Sequence, residues 1–399
     1  MYARNVFEAI SLFHDELTAL RRDIHAHPEL GFKEQRTSNL VANSLTALGY
    51  EVHRHIGKTG VVGVLEGRQN TSGRSIGLRA DMDALPILEQ NDVGHASTCA
   101  GVMHACGHDG HTAVLLGAAR YLAETRNFDG RVVLIFQPAE EGLGGAQAML
   151  DDGLFDRFHC DAIYGLHNWP GLPAGMIGVN PGPMMAAADH FEILIEGRGG
   201  HGAHPYQTND PVVIAAQLIT ALQTVVSRNV PAPDAAVITV AAVNAGSLPA
   251  MNVIPGLARM SGTVRTFNPV VQEQVIKRMQ ELATGIASAF GAKIELKYHH
   301  LFPATVNTPE HADFVVDVAT ELFGADKVVP NLVPSMGSED FSFMLQERPG
   351  AYFRLGQGGA ESGRVLHSPA FDFNDAVIPV GSAMFCRLVE RSMPLATNN

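Results

Sequence analysis

The residues best suited to chemistry are a cysteine and a histidine, Cys106 and His108, and an adjacent pair of carboxylates, Glu140 and Glu141, about thirty residues further along. A thiolate, an imidazole and a carboxylate are all ligands of transition-metal ions, and the second carboxylate would remain available for proton transfer. This pattern indicates a metal-dependent hydrolase.

Each of these residues taken alone has a plainer explanation. A single cysteine is more often an inert buried residue than a ligand, and two glutamates usually begin a solvated helix. Here His104, His108 and His111 surround Cys106, and so many metal-capable side chains make a poor apolar core. The two glutamates follow the segment FQPA and precede a glycine, which is typical of a turn that brings carboxylates into a cleft. Buried carboxylates need charged or metal partners, so the combination favours a site.

The elements that must position these residues follow an α/β pattern. Short apolar runs at 61–65, 76–80, 132–136 and 162–166 predict buried strands, and the segment 112–124 predicts an amphipathic helix between them, with Asp109 at its N-cap. Asp81 and Asp83 follow one strand, the glutamate pair follows another, and His167 follows a third. Sites in open α/β sheets collect at the carboxyl ends of strands, so we expect these loops to converge on one cleft.

The sequence pattern changes near residue 188. From there to 299 it predicts a compact α+β unit, with strands at 191–195, 236–243, 258–266 and 293–298 and helices at 211–228 and 270–290. We therefore predict a discontinuous catalytic domain, 1–187 and 300–399, with a mixed, mainly parallel sheet flanked by helices. The insert 188–299 is expected to form a second, smaller domain.

Composition excludes several classes of protein. The chain of 399 residues has a net charge of −13 and no dense basic run, which argues against nucleic acid as a partner. The N-terminus lacks the apolar segment of a secretory signal, and no run of about 18 uncharged apolar residues predicts a membrane span. The four cysteines are few for this length, which fits a reducing cytoplasm.

A glycine-rich turn offers an alternative that has to be weighed. The segment GRGGHG at 197–202 matches the G-x-G-x-x-G pattern of dinucleotide-binding turns. No helix follows at once, and no acidic residue stands about twenty residues further on, where a ribose-binding acid is expected. A flexible turn that presents His201 is the better interpretation.

Several motifs carry a resemblance to a known family. In chain order they are RDIHAHPE, MHACGHDGHT, FQPAEEG, GLHNWP, GRGGHGAHP, MNVIP, GTVRTF, GSEDF and LHSPAFDFN. Together they resemble the amidohydrolase branch of the dinuclear aminoacylase/carboxypeptidase superfamily over nearly the whole chain. That branch includes hippurate hydrolases, N-acetyldiaminopimelate deacetylases and hydrolases of indole-acetyl amino acid conjugates. The wider superfamily has a His-x-Asp metal motif where this chain has Asp81-Met82-Asp83, and the branch uses the cysteine motif instead.

The resemblance implies a set of ligands and a general base. The metal ligands it implies are Cys106, His108, Glu141, His167 and His367, and the implied base is Glu140. Two divalent cations are implied, with zinc, manganese, cobalt and nickel all found in the family. A thiolate can bridge two cations, which in turn keep it deprotonated. Asp83 and Asp109 are expected to orient ligand imidazoles from behind.

The resemblance also implies a reaction and a role for the insert. The expected reaction is hydrolysis of the amide bond of an N-acyl amino acid, with His201 stabilising the oxyanion and Asn252 and Arg265 holding the substrate carboxylate. The insert is expected to act as a lid and to form a homodimer or a higher homo-oligomer. Two other activities stay open, namely N-acetyldiaminopimelate deacetylase and dipeptidase or aminopeptidase of the same superfamily. A metal-binding protein without activity is disfavoured, because it has no use for a base beside its ligands.

Overall fold

The computed structural model describes residues 3–396. Its strands are β1 (Glu51–Ile56), β2 (Gly60–Glu66), β3 (Ser75–Asp81), β4 (Arg131–Gln137), β5 (Ala162–Trp169), β6 (Ile177–Val179), β7 (Pro183–Met185), β8 (Ala187–Glu196), β9 (Gly200–His201), β10 (Ala236–Ala245), β11 (Val253–Ile254), β12 (Leu257–Thr266), β13 (Lys293–Phe302), β14 (Thr305–Val306), β15 (Val328–Pro330) and β16 (Gly350–Gly356). Its α-helices are α1 (Ala3–Ser11), α2 (His14–Ala26), α3 (Gln35–Ala47), α4 (His108–Thr125), α5 (Gly145–Asp151), α6 (Leu154–Arg157), α7 (Pro211–Thr224), α8 (Pro269–Phe290), α9 (Pro309–Phe323), α10 (Phe341–Glu347) and α11 (Ile378–Ser392).

The chain divides into two compact units. The first comprises the residues up to Met184, Thr305–Pro334 and the residues from Asp340 onward. The second comprises Met185–Ala304 together with the short segment Ser335–Glu339. The motif GSEDF therefore contributes to both units.

An eight-stranded sheet forms the centre of the first unit, in the order β1-β2-β4-β3-β5-β16-β6-β15. The four neighbours β4, β3, β5 and β16 run parallel to one another, whereas β1, β2 and β6 introduce antiparallel pairings. Every residue of β3 and of β16 is buried. Parallel strands covered on both faces appear in sequence as continuous apolar runs, which is why β3 could be predicted from the run at 76–80. The predicted mixed, mainly parallel sheet is confirmed.

Helices cover this sheet. Helix α4 packs against α2, α11 and β3, and α9 packs against β16 and β6. Leu115, Leu116, Ala119 and Leu122 of α4 are at most 4% exposed and belong to one large apolar core. Because α4 is buried on nearly all sides, its polar first turn has to be matched by polar partners inside the protein.

The second unit has a four-stranded antiparallel sheet in the order β10-β12-β8-β13. Helices α7 and α8 pack together and against this sheet around their own apolar core, which includes Phe191, Ile214 and Met279. A short two-stranded antiparallel sheet pairs β9 with β11 and sets Val253 opposite His201. The α+β character expected of the insert agrees with these elements.

One segment of the second unit bears on the expectation that the chain has no membrane span. Residues Pro211–Asn229, which comprise α7 and a π-helical turn, are long and apolar enough by length and composition alone. The core helix of a soluble protein meets the same criterion. Ile214, Leu218 and Leu222 of α7 are fully buried in the core of this unit.

Candidate metal centre

Three neighbouring strands of the first unit carry residues of the predicted site at or just beyond their carboxyl ends. Asp81 is the last residue of β3, β4 ends just before the glutamate pair, and β5 contains His167. Cys106 precedes Gly107, which is the N-cap of α4 and has a φ of 98°. A Cβ at this glycine would lie 2.4 Å from Oδ1 of Asn168. The close approach of this loop to β5 therefore requires glycine.

The five residues predicted as ligands come together in two groups that share one atom. Cys106, His108 and His167 offer ligand atoms within 4.8 Å of one another, and Cys106, Glu141 and His367 do the same. The shared atom is the Cys106 sulfur. Two cation positions joined by one sulfur would be the geometry of a thiolate bridge, which the sequence suggested.

The distances within the two groups are short. The Cys106 Sγ lies 3.3 Å from Nε2 of His167, and Oε1 of Glu141 lies 3.3 Å from Nε2 of His367 and 4.0 Å from Nε2 of His108. His367 is an exposed residue in the left-handed region at a φ of 63°, a conformation that is uncommon outside glycine. That strain is consistent with a backbone held in place for a functional side chain.

Two of the buried polar atoms without a hydrogen-bond partner among the described residues belong to this cluster. They are Nε2 of His108 and Oε1 of Glu141. Leaving such atoms unsatisfied costs about 1–3 kcal/mol each, and more for charged groups. Divalent cations bound by the two ligand groups would satisfy both, so the residues present fit the metal ions that the family resemblance implies.

The electrostatics of the cluster agree with bound cations. Burial and the carboxylates of Glu141 and Glu140 raise the pKa of the Cys106 thiol well above its ordinary value. Burial lowers the pKa of His108, but Asp81 and Asp83 outweigh it and raise that pKa to about 10. The carboxylates thus hold protons on both groups. Dications would reverse this and favour the thiolate and the neutral imidazole that bind metal.

His167 is already prepared to act as a ligand. Burial and the neighbouring His111 lower its pKa well below the ordinary value. Its Nδ1 lies 2.7 Å from the carbonyl oxygen of Asn168, so this nitrogen donates and carries the proton. The lone pair of Nε2 then faces the Cys106 sulfur.

Of the two residues expected to orient ligands, Asp83 has the expected contacts and Asp109 does not. Asp83 places Oδ1 3.2 Å from Nδ1 of His108, and its Oδ2 accepts a hydrogen bond from the Glu141 backbone at 3.0 Å. Asp109 instead bonds to Nδ1 of His25 at 2.8 Å and to Arg21 at 3.3 Å. The expectation for Asp109 is corrected, and so is its N-cap assignment, because it lies inside the first turn of α4.

Sequence reasoning missed a buried polar layer behind the ligands. Nδ1 of His111 lies 2.6 Å from Oδ1 of Asp81, whose Oδ2 accepts a hydrogen bond from Arg79 at 2.9 Å. Nε2 of His111 lies 2.7 Å from Oδ1 of Asn168. The sequence signal that could have revealed this layer was the spacing of three residues between His108 and His111, because residues three apart share one face of a helix.

His201, Asn252 and Arg265 all lie in the second unit. His201 lies in β9 and is exposed. The carbonyl oxygen of Asn252 accepts a hydrogen bond from Gly202 at 2.7 Å, so the pairing of β9 with β11 holds these two segments together. Arg265 lies near the end of β12, and its Nη1 is buried without a hydrogen-bond partner among the described residues. Burial lowers the pKa of this guanidinium, as expected for a cation without a full counter-charge.

The chain belongs to peptidase family M20/M25/M40, whose profile matches residues 77–391. It is 43% identical over 384 residues to a hippurate hydrolase of Campylobacter jejuni, and the aligned region covers 96% of this chain and 98% of that protein. It is 40% identical over 378 residues to an N-acetylcysteine deacetylase of Bacillus subtilis, covering 94% and 96% of the two chains. A dinuclear metal-binding peptidase of the same family from Bacillus subtilis has a similar structure, with a TM-score of 0.84, 37% identity, and coverage of 96% and 99%.

These relationships confirm the family resemblance and the class of protein. The protein is a hydrolase of this family and acts on amide bonds. The dinuclear relative and the two ligand groups support a site for two divalent cations.

Proposed function

We propose that this enzyme hydrolyses the amide bond of N-acyl amino acids of the hippurate type, releasing a carboxylic acid and a free amino acid. The observation that carries the proposal is the pair of ligand groups that share Cys106, with a further carboxylate, Glu140, beside them. The 43% identity to a hippurate hydrolase supports the substrate class.

In this proposal Cys106, His108 and His167 would hold one cation, and Cys106, Glu141 and His367 would hold the other. When bound, the cations supply Lewis-acid polarisation of the substrate carbonyl and lower the pKa of water from about 15.7 toward 7. Asp83 fixes the orientation of the His108 ring through its hydrogen bond to Nδ1.

Glu140 acts as the general base. It is 8% exposed, and its carboxylate lies within 4.8 Å of ligand atoms of His108 and Glu141. Of two adjacent glutamates, Glu141 bonds through its backbone to Asp83 and faces His367, which leaves Glu140 to take a proton from water and deliver it to the leaving amine. His201 would donate to the oxyanion of the tetrahedral intermediate, a contribution worth about a hundredfold to a thousandfold in turnover.

Arg265 and Asn252 would hold the free carboxylate of the substrate. The buried Nη1 of Arg265 has no hydrogen-bond partner among the residues described, and a bound carboxylate would satisfy it. Hydrogen bonds between two charged groups are about twice as strong as neutral ones. Recognition of this group distinguishes N-acyl amino acids from simple amides.

The test is product detection with benzoyl-glycine and its neutral C-terminal amide, using enzyme loaded with defined metals. We expect the acid to be hydrolysed and the amide to have a kcat/KM at least about tenfold lower, which corresponds to about 1.4 kcal/mol. Arg265→Ala should remove most of that difference, whereas Arg259→Ala, an exposed arginine on the same strand, should retain it. Equal rates on acid and amide with wild-type enzyme would contradict carboxylate recognition.

A second activity is favoured by one observation. The N-acetylcysteine deacetylase relative is nearly as similar as the hippurate hydrolase, at 40% identity. A panel of benzoyl-, acetyl- and indole-acetyl-amino acids separates the two, since a deacetylase should prefer the small acyl group. Turnover of peptides only when their amino group is free would instead indicate a dipeptidase or aminopeptidase.

We also propose that the protein is a cytoplasmic homodimer or higher homo-oligomer formed through the second unit. Edge strand β10, the loop after it and β11 expose large apolar side chains, with Val243 52%, Leu248 and Met251 each 94% and Val253 57% exposed. Contiguous exposed apolar residues are typical of protein interfaces. Changing Leu248 and Met251 together to Glu should yield a monomer in light scattering, while Val333→Glu, an exposed apolar residue of the first unit, should not. A monomeric wild type would contradict the proposal.

If His201 acts across that dimer, two inactive variants should complement each other. Mixing His201→Ala and Glu140→Gln subunits should restore part of the activity in heterodimers that carry one intact site. A mixture that exchanges subunits and stays inactive would place the action of His201 within one chain.

A further inference from the structure

His111 is a fully buried histidine beside the proposed ligands but outside the ligand set. It lies in the first turn of α4, three residues after His108. Because residues three apart share a helix face, its ring points toward the same centre as His108. Nothing in the proposed reaction yet uses it.

The ring of His111 packs against two proposed ligands at once. It is stacked on the ring of His108, with centroids 5.4 Å apart and an angle of 30° between the planes. It meets the ring of His167 at 4.6 Å and 69°. A rotation of the His111 ring would therefore displace both imidazoles.

Both nitrogens of His111 are engaged by buried groups. Nδ1 lies 2.6 Å from Oδ1 of Asp81, a carboxylate that is fixed by Arg79. Nε2 lies 2.7 Å from Oδ1 of Asn168, the residue whose carbonyl oxygen accepts the Nδ1 proton of His167. Asp81 and Asn168 thus fix the His111 ring from both sides. Asn168 also sets the tautomer of His167, a proposed ligand.

We propose that His111 is a positioning residue that holds the His108 and His167 rings at the angles the cations require, without binding a cation itself. The proposal rests on the ligand set given under the proposed function. Asp81, His108 and His111 also lie close enough together to suggest a cation position. The Asn168 backbone N–H donates to Nε2 of His111 at 3.0 Å, which assigns the ring proton to Nδ1. Nδ1 therefore donates to Asp81 and offers no lone pair to a cation, which argues against that alternative.

Two substitutions separate the positioning role from a ligand role. His111→Phe keeps a ring between the two imidazoles and loses both hydrogen bonds. His111→Asn can place an amide N–H near the position of Nδ1 and so retain the bond to Asp81. Thr112→Val is the matched control, because it removes another buried hydrogen bond between α4 and Asp81, from Thr112 Oγ1 to the Asp81 carbonyl oxygen at 3.0 Å, without touching a ligand ring.

The readout is binding of Co²⁺ to the chelator-treated full-length protein, followed by the fluorescence of Trp169 and by elemental analysis. Trp169 is the single tryptophan of the chain, and its ring lies 6.3 Å from that of His167. We expect His111→Phe to bind Co²⁺ about tenfold to a hundredfold more weakly, the usual cost of losing a group that orients a ligand. His111→Asn should recover most of the affinity, and Thr112→Val should lower the midpoint of urea unfolding while binding Co²⁺ like wild type.

Three results would overturn the proposal. Wild-type affinity in His111→Phe, with His167→Ala defective, would remove the positioning role and leave the proposed metal centre intact. Loss of one full equivalent of Co²⁺ in both His111→Phe and His111→Asn would make His111 a ligand. Wild-type stoichiometry and affinity in His167→Ala would contradict the metal centre itself, and the positioning role with it.

Discussion

The ion pair between His25 and Asp109 makes a quantitative prediction about how stability depends on pH. His25 is fully buried in α2, with Nδ1 2.8 Å from Asp109 and Nε2 3.2 Å from Glu89. Burial and the nearby Arg21 lower the pKa of His25, but the two carboxylates outweigh them and raise it to about 9 from 6.5. The rings of two further histidines, His95 and His104, lie beside this ring, with centroids 5.5 and 6.2 Å away.

The sign of the effect follows from the raised pKa. The folded protein holds the His25 proton more tightly than the unfolded chain does, so the stabilisation is fully present below pH 6.5 and is lost as the pH rises through about 9. A difference from 6.5 to about 9 corresponds to about 3 kcal/mol in the free energy of unfolding. His25→Gln keeps hydrogen-bonding capacity without the titrating charge, so it should lack this component.

The assay is urea unfolding of the metal-loaded protein at several pH values from 6 to 10. The difference in unfolding free energy between wild type and His25→Gln should be largest at the acidic end and shrink by about 3 kcal/mol toward the alkaline end. His27→Gln is the control, because His27 is partly exposed near the end of the same helix and bonds to the backbone carbonyl of Asp23. A constant difference between wild type and His25→Gln across the range would refute the reasoning.

Two further substitutions test the loop that carries the cysteine. Cys106→Ala should abolish activity and weaken metal binding at both positions, because its sulfur belongs to both ligand groups; full activity with two bound cations would contradict the shared ligand. Gly107→Ala should lower the free energy of unfolding by about 2–4 kcal/mol, since it combines a left-handed backbone with overpacking in a buried region. The added Cβ would lie 2.4 Å from Oδ1 of Asn168, so metal affinity should fall as well, and unchanged urea midpoints and Co²⁺ titrations would count against this account.

Strands β2, β3, β4 and β5 could be predicted because each contains a short apolar run that is buried in the sheet. The run at 132–136 lies within β4, and the structure adds one polar residue at each end, Arg131 and Gln137. Gln137 is buried there because its side chain accepts a hydrogen bond from Arg79 at 2.8 Å. Such a contact depends on the parallel pairing of β3 with β4, which hydrophobicity along a single strand does not reveal.

The start of α4 shows the limit of pattern reasoning most clearly. Apolar periodicity placed the helix start at 112, but the helix begins at His108, because its first turn is polar and yet buried. Successive residues of a helix are about 100° apart, so Asp109 faces away from the side on which His108 lies, whereas His111 returns to it. Because the helix start was predicted at the wrong residue, Asp109 was wrongly assigned as the N-cap and as a partner of the ligands. For the same reason His111 was not recognised as part of the site.

The central claim is that Glu141 binds metal whereas Glu140 acts as the general base. Metal analysis of two matched variants tests this claim most directly. Glu140→Gln should retain two equivalents of metal while turnover of benzoyl-glycine falls by about two to four orders of magnitude, as expected for loss of a general base. Glu141→Gln should lose metal and activity together, because it removes the carboxylate that lies 3.3 Å from His367. Loss of metal in Glu140→Gln with retention in Glu141→Gln would reverse the two roles and contradict the proposed mechanism.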